Sequence, residues 1–460
     1  MVSMGEAAKI SLNAIGKQDT HLLSKDPEES FFNYEAPLKH SEFRKYHRSH
    51  QVVNKGQIAG WPFGETVKVQ FNPTNMGDLL SNMWLSITMP ALSSGENYAD
   101  QLGRHILKSV TMFVDELEIE KLHDDWGIIY DELYLEMSEK VANRFLVNRN
   151  IGYDQTPDVA NPVIAQSKAD IVIPLHFFFS RKYASDEYSS NKPNRPYFPL
   201  CSAYKQKLTF ELEFHKESFF SNTTQNLEIS SFDIVTEEIT VSAEEKIFLL
   251  KERQTLITDL VRKHPSTISV IGENTIKTNL VPNIPVKCLH WFLRNTSFED
   301  ENVSTDAWGF NASNAETYAY QNRFNFSSNA AFIHQESIFN PIMESTSLSI
   351  DGFKLPNLLD TGHIYYKYLV PSRNRLARPY RNIYTYSFSM NPINVEPSGN
   401  FDFSEIKSDK TSIEVKLDTT PINPVYRQAV DVSSNTYSLN MYYTGYQTFT
   451  FEKGFMSIAY

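Results

Sequence analysis

Disulfide chemistry has little to work with in this 460-residue chain, whose two cysteines, Cys201 and Cys288, lie far apart in apolar, strand-like stretches. Two reduced, buried thiols in a reducing compartment are expected, not a disulfide framework. Glycine is scarce as well. The 17 glycines form no Gly-x-Ser-x-Gly, no Gly-x-Gly-x-x-Gly and no phosphate-cradling loop, so backbone nucleotide cradles and the hydrolase nucleophile elbow find no support. No apolar run reaches the roughly 18 residues of a membrane-spanning helix, and the opening MVSMGEAAKISLNAIGKQDTHLL lacks a basic start followed by an apolar core. Neither a span nor a signal peptide is expected. Positive charge is also in deficit: 43 Lys and Arg against 55 Asp and Glu give a formal net charge of -12. Without a basic stripe, no direct nucleic-acid partner is expected. Basic residues do gather at 39–48 (KHSEFRKYHR) and at 367–381, both read as solvated or partner-facing loops. Five Asn-x-Ser/Thr sequons begin at Asn222, Asn295, Asn302, Asn311 and Asn325; without a secretory signal they carry little weight.

What the chain does have is aromatics and proline. Thirty-one Phe, 24 Tyr and 22 Pro suit many short strands packed by rings and joined by long loops. The length allows two large all-β domains. The first 50 or so residues are polar and aperiodic and are assigned, as 1–55, to an N-terminal arm. Strands follow: Val67, Val69 and Phe71 alternate with polar residues, as do Met83, Leu85, Ile87 and Met89. TMFVDELEI (111–119) reads as strand, turn and strand, after which Asp124 or Asp125 can cap a helix carrying Ile129, Leu133, Met137 and Val141 on one stripe. An apolar strand then runs into Phe177, Phe178 and Phe179, a polar loop, a PYFPL return (196–200), and a strand with Leu208, Phe210, Leu212 and Phe214 on one face. AEEKIFLLKERQ (243–254) is helix-prone and charge-rich, a connector. It separates a first unit, 56–245, from a second, 246–460.

The second unit repeats the first. SLSIDGFKL (347–355) aligns with TMFVDELEI, placing Asp351, in an Asp-Gly pair suited to a tight primed turn, on Asp115. Tyr384, Tyr386, Phe388 and Met390 stand where the strand before the Phe run stood, and Ile413, Val415 and Leu417 match the closing strand. The offset shrinks from about 236 to about 205 residues, as copies differing in loop length require. The expected fold is all-β: two tandem eight-stranded antiparallel jelly-roll sandwiches with short helices in loops.

Candidate sites are few. His123, Asp124 and Asp125 contain the His-x-Asp half of a facial iron triad, but a helix cap preceded by a surface histidine accounts for them. His47 and His50 share a short stretch without enough further ligands for a metal, so a loop pair is favoured. Asp115, Glu116, Glu118 and Glu120 read as edge-strand charge rather than paired catalytic carboxylates. Phe177, Phe178, Phe179, Tyr197 and Phe198 read as core rather than a base-stacking platform. No catalytic residue, metal or cofactor is expected, and no enzyme.

Several stretches resemble the double jelly-roll major capsid proteins of nucleocytoplasmic large DNA viruses, the iridovirus and phycodnavirus group: GDLLSNMWLSITMP (77–90), PLHFFFSR (174–181) with PYFPLCSAYKQKLTFEL (196–212), NIPVKCLHWFLRN (283–295) and, most specifically, IYTYSFSMNPINVEPSGNFDFSEI (383–406). The resemblance runs from about residue 56 to residue 460. Two departures stand out: Phe178 where the family often has Trp, and a longer, more charged loop at 182–195. The resemblance implies a structural shell protein that self-assembles into homotrimeric, pseudo-hexagonal capsomers tiling an icosahedral capsid. It also implies neighbouring capsomers and minor capsid and penton proteins as partners, an inner membrane nearby, and a place in the virion after assembly in the host cytoplasm. Loops 182–195 and 299–326 are expected to project outward or bridge neighbours. The alternative is a carbohydrate-binding β-sandwich protein using exposed aromatics and carboxylates.

Overall fold

The computed structural model describes residues 41–51, 61–93, 98–99, 101–147, 169–181, 197–221, 223, 225–229, 231–301, 323–324, 326–328, 340–356, 361–406, 410–421 and 429–459. Most of the N-terminal arm, the loop at 182–195 and the sequons at Asn222, Asn302, Asn311 and Asn325 lie outside them. Strands of three or more residues are numbered in chain order. The first eight are β1 Phe43–Gln51, β2 Thr66–Phe71, β3 Leu79–Met89, β4 Leu107–Val114, β5 Leu117–His123, β6 Ala169–Pro174, β7 Leu208–Phe214 and β8 Ser231–Val241. After a helix at Ala243–Lys251 come β9 Gln254–Ile268, β10 Thr275–Asn279, β11 Val286–Asn295, β12 Met343–Ile350, β13 Phe353–Leu355, β14 Tyr384–Ser387, β15 Ser412–Leu417, β16 Tyr437–Glu452 and β17 Phe455–Ala459.

Pairing makes the repeat explicit. Before the Ala243–Lys251 helix the two four-stranded sheets have the orders β1-β8-β3-β6 and β2-β7-β4-β5; after it the corresponding orders are β9-β16-β11-β14 and β10-β15-β12-β13, each strand number raised by eight. The pairings are antiparallel throughout. Two sheets that interleave early and late strands in this way form a jelly roll, and an eight-step permutation recurring in one chain marks a tandem copy. The aligned hairpins agree in detail. Asp115 and Asp351 both take positive φ, 54° and 49°, at the β4-β5 and β12-β13 turns, and Gly352 follows at 80°. That places the Asp351-Gly352 pair in the primed turn its sequence suggests.

Alternation decides which faces are buried. β7 buries Leu208, Phe210, Leu212 and Phe214, and β3 buries Met83, Leu85, Ile87 and Met89. β11 differs, being buried on both faces from Val286 to Arg294. Leu289, Trp291 and Leu293 belong to the second core, whereas Phe292 on the opposite face belongs to the first, which reaches across into the second half through Leu260, Val261, Tyr442, Phe449 and Phe451. The outer face of sheet β9-β16-β11-β14 is thus covered by the first half. The Phe run serves this junction, with Phe178 5.4 Å from Phe449, as well as its own roll, where Phe177 lies 5.5 Å from Phe210.

Several expectations need correction. Residues 43–51 are not irregular arm or solvated loop but an edge strand paired along its length with β8. The helix after β5 stops at Leu133; Met137 and Val141 open a separate helix, Met137–Val147, and are exposed rather than part of a buried stripe. Cys201 sits in a 3-10 turn at Leu200–Ala203 rather than in a strand, although both cysteines are free and buried. The basic stretch at 367–381 folds inward at both ends: Lys367 and Arg381 are buried.

Candidate functional site: a buried polar seam between the two halves

The residues weighed for chemistry do not converge on a metal. Asp124 and Asp125 open the Asp124–Leu133 helix and diverge. Asp124 Oδ2 lies 3.0 Å from His215 Nε2, while Asp125 takes the Lys263 ammonium at 3.0 Å and the Tyr442 hydroxyl. His123 packs edge-on against Tyr442, and burial lowers its pKa. Among the described residues no group of three or more His, Cys, Asp or Glu is arranged to hold a metal ion. His47 and His50 lie on β1, not in a loop, and face carboxylates of β8. His47 is 3.2 Å from Glu237, and His50 is 3.0 Å from the Thr236 hydroxyl and 3.5 Å from Glu238. Burial works to raise both glutamates, but Lys45, Ser81 and His47 hold Glu237 down at about 2. His50, Thr236 and the Gly77 amide do the same for Glu238, also at about 2.

The hairpin acids separate by depth. Glu116 and Glu118 are exposed, as edge charges should be. Asp115 Oδ1 accepts from the Lys207 amide at 2.8 Å. Glu120 is not edge charge: it is fully buried and accepts from the Arg181 guanidinium, the Val261 amide at 2.9 Å and the Phe178 amide at 3.0 Å. Arg181 in turn donates to the Asp259 carbonyl at 2.7 Å, and Lys287, also buried, meets the Asp259 carboxylate at 3.2 Å. A carboxylate of β5 and a guanidinium beside the Phe run are thereby tied to the backbone of β9.

Further ties cross the same boundary. Arg262 donates to the Ile119 carbonyl at 3.0 Å. Glu132 receives the Arg381 amide at 2.8 Å and its guanidinium. Tyr134 Oη and His290 Nε2 are 2.9 Å apart, with His290 pushed by burial down to about 3 and hence neutral. His215, stacked on Phe219 at 3.7 Å, holds Asp124 on one ring nitrogen and Glu301 on the other, each at 3.0 Å. Burial would lower its pKa, but the two carboxylates outweigh it and raise the value; Glu301 is drawn down to about 2, first by its hydrogen bond to His215. Arg323, at the end of the loop expected to project outward, is instead buried and donates to the carbonyls of Phe219, Asp300 and Ser218 at 2.7–2.8 Å.

Paired and hydrogen-bonded charge of this kind fixes geometry, because each ion is committed to a partner. The seam holds two rolls in one relation. Sequence reading missed it because partners such as Asp125 and Lys263 stand 138 residues apart. The available signal was β11 itself, whose VKCLHWFLRN is too continuously apolar and aromatic for a strand with one wet face.

Comparison with known proteins points the same way. Residues 244–457 match the family described as large eukaryotic DNA virus major capsid protein, and residues 42–196 match the major capsid protein N-terminus. The major capsid protein of Paramecium bursaria Chlorella virus 1 is 22% identical over 484 aligned positions, covering 98% of this chain and 98% of that relative. Among solved structures, the PBCV-1 virus capsid superposes with a TM-score of 0.69 at 15% identity, covering 94% of this chain and 100% of that one. The Faustovirus major capsid protein superposes with a TM-score of 0.63 at 11% identity, covering 97% and 98%. These findings support the shell reading and not the carbohydrate-binding alternative. With the duplicated strand order, the welded rolls and two family matches that together span most of its length, the chain belongs to the double jelly-roll major capsid proteins of large eukaryotic DNA viruses.

Proposed function

We propose that three copies of this chain form a capsomer in which six similar rolls surround the axis, a pseudo-hexagon that tiles an icosahedral shell. The observation that carries this reading is the recurrence of one strand permutation in two rolls joined by a buried seam, since such a chain presents two near-equivalent units to its neighbours. The role is structural rather than catalytic. Apolar faces buried between subunits hold the capsomer, and more polar contacts between capsomers permit correction during growth. Neighbouring capsomers and minor capsid and penton proteins are the partners, and assembly in the host cytoplasm precedes residence in the virion. Boundaries near residues 56 and 246 delimit the two rolls. Light scattering on the purified protein at micromolar concentration and physiological salt tests the proposal: the expected mass is three times the 52.9 kDa of one chain, and a stable monomer would overturn it.

A further inference from the structure

The internal seam uses one face of each roll and leaves the equivalent faces open. Its covering elements are β5 and the helix that follows, in which every residue from Asp125 to Leu133 is buried. Its receiving surface is the outer face of β9-β16-β11-β14, where β9 buries Thr258, Asp259, Leu260 and Val261. The counterpart receiving surface is the outer face of β1-β8-β3-β6. No residue from 43 to 50 in β1 is buried, and Trp84 and Val235 remain partly accessible, so among the described residues nothing seals this face. The counterpart covering elements are β13 and the helical segment 363–373, which follows β13 as the Asp124–Leu133 helix follows β5. They leave Phe353, Ile364 and Leu369 exposed by 73%, 62% and 46%.

We propose that these open faces are the two sides of one intermolecular seam: β13 and the 363–373 segment of one copy cover the outer face of β1-β8-β3-β6 in a second copy. The inference rests on the capsomer reading above and specifies which surfaces meet in it. A second copy is the occupant because each open face is the topological twin of a face already buried inside the chain, covering element to covering element and receiving sheet to receiving sheet. The contact is apolar at its centre, with Phe353, Ile364 and Leu369 set against Phe43, Trp84 and Val235, and exposed apolar side chains of this size mark association surfaces. The two sides differ, so the interface is heterologous and propagates head to tail into a ring, not a twofold pair. Alternating internal and intermolecular seams around that ring gives each roll the same pair of neighbours.

Cross-linking tests this. Capsomers assembled from an equal mixture of isotopically light and heavy chains are treated with a lysine-reactive cross-linker and digested. Lys354 of β13 is expected to link to Lys45 of β1 in mixed-label peptides, which only different chains can produce. In parallel, Phe353→Glu and Val235→Arg are each expected to raise the concentration at which trimers dissociate by about tenfold or more, while Met390→Glu, at a more exposed site outside both faces, leaves it unchanged. Trimers whose Lys354 forms no interchain link to Lys45, or whose Lys45 links only to lysines before residue 41 of its own chain, would overturn the inference and leave the capsomer reading standing. A wild-type protein that stays monomeric would overturn both.

Discussion

His215 holds one carboxylate from each half, Asp124 of the first and Glu301 of the second, and this sets a pH window. Because its folded pKa is raised, its contribution to stability is fully present below the unfolded value of about 6.5 and is lost as pH rises through the folded value. Glu301, drawn down to about 2, and Asp124, held well below the usual range, contribute above their unfolded values near 4 and lose that contribution in acid. The latch should therefore be strongest between about pH 4.5 and 6.5. Melting temperatures of wild type and His215→Gln should differ most in that interval and converge toward pH 8; a difference that grows with pH would contradict the assignment. Glu120 makes a second case. Glu120→Gln leaves the buried Arg181 without its carboxylate and should cost about 3 kcal/mol in denaturant unfolding, with a Glu120→Met, Arg181→Met double variant recovering much of it. Neither role was legible in sequence, where Glu120 looks like its neighbours Glu116 and Glu118. Depth separates them, and depth is set by β9, which lies far along the chain.

At the scale of elements, legibility followed wetting. Strands with one dry face, such as β3 and β7, announce themselves by alternation, and the Asp351-Gly352 turn by its residue types. β1 has no dry face at all and so shows no alternation; its identity rests on pairing with β8 and on Glu237 and Glu238 drawing in Lys45, His47 and His50. The stripe Ile129, Leu133, Met137 and Val141 keeps helical spacing, yet the chain breaks after Leu133, so the last two point elsewhere. The turn yields a prediction. Gly352 has φ of 80° with nothing within 4 Å of an added Cβ, so Gly352→Ala should cost about 1 kcal/mol from backbone strain alone. Gly362→Ala, equally unobstructed and without a positive φ, should be nearly neutral. Equal destabilisation by the two in urea titrations would argue against the primed turn.

For the whole molecule, duplication is what turns a β-rich chain into a shell component. Two rolls of identical strand order, fixed to each other through Glu120, Asp125, Glu132 and His215, supply a repeating unit that a ring can extend. The tandem organisation could be read from the ordered series of matched segments, because loop length varies between copies while strand order does not. The surfaces that meet between rolls could not, since each is assembled from strands distant in sequence. Electron cryomicroscopy of the purified capsomer tests the central claim most directly. It should show three chains around a threefold axis, with six roll-shaped densities at nearly equal radius; a monomer, a twofold dimer, or a trimer whose rolls do not form a pseudo-sixfold ring would contradict it.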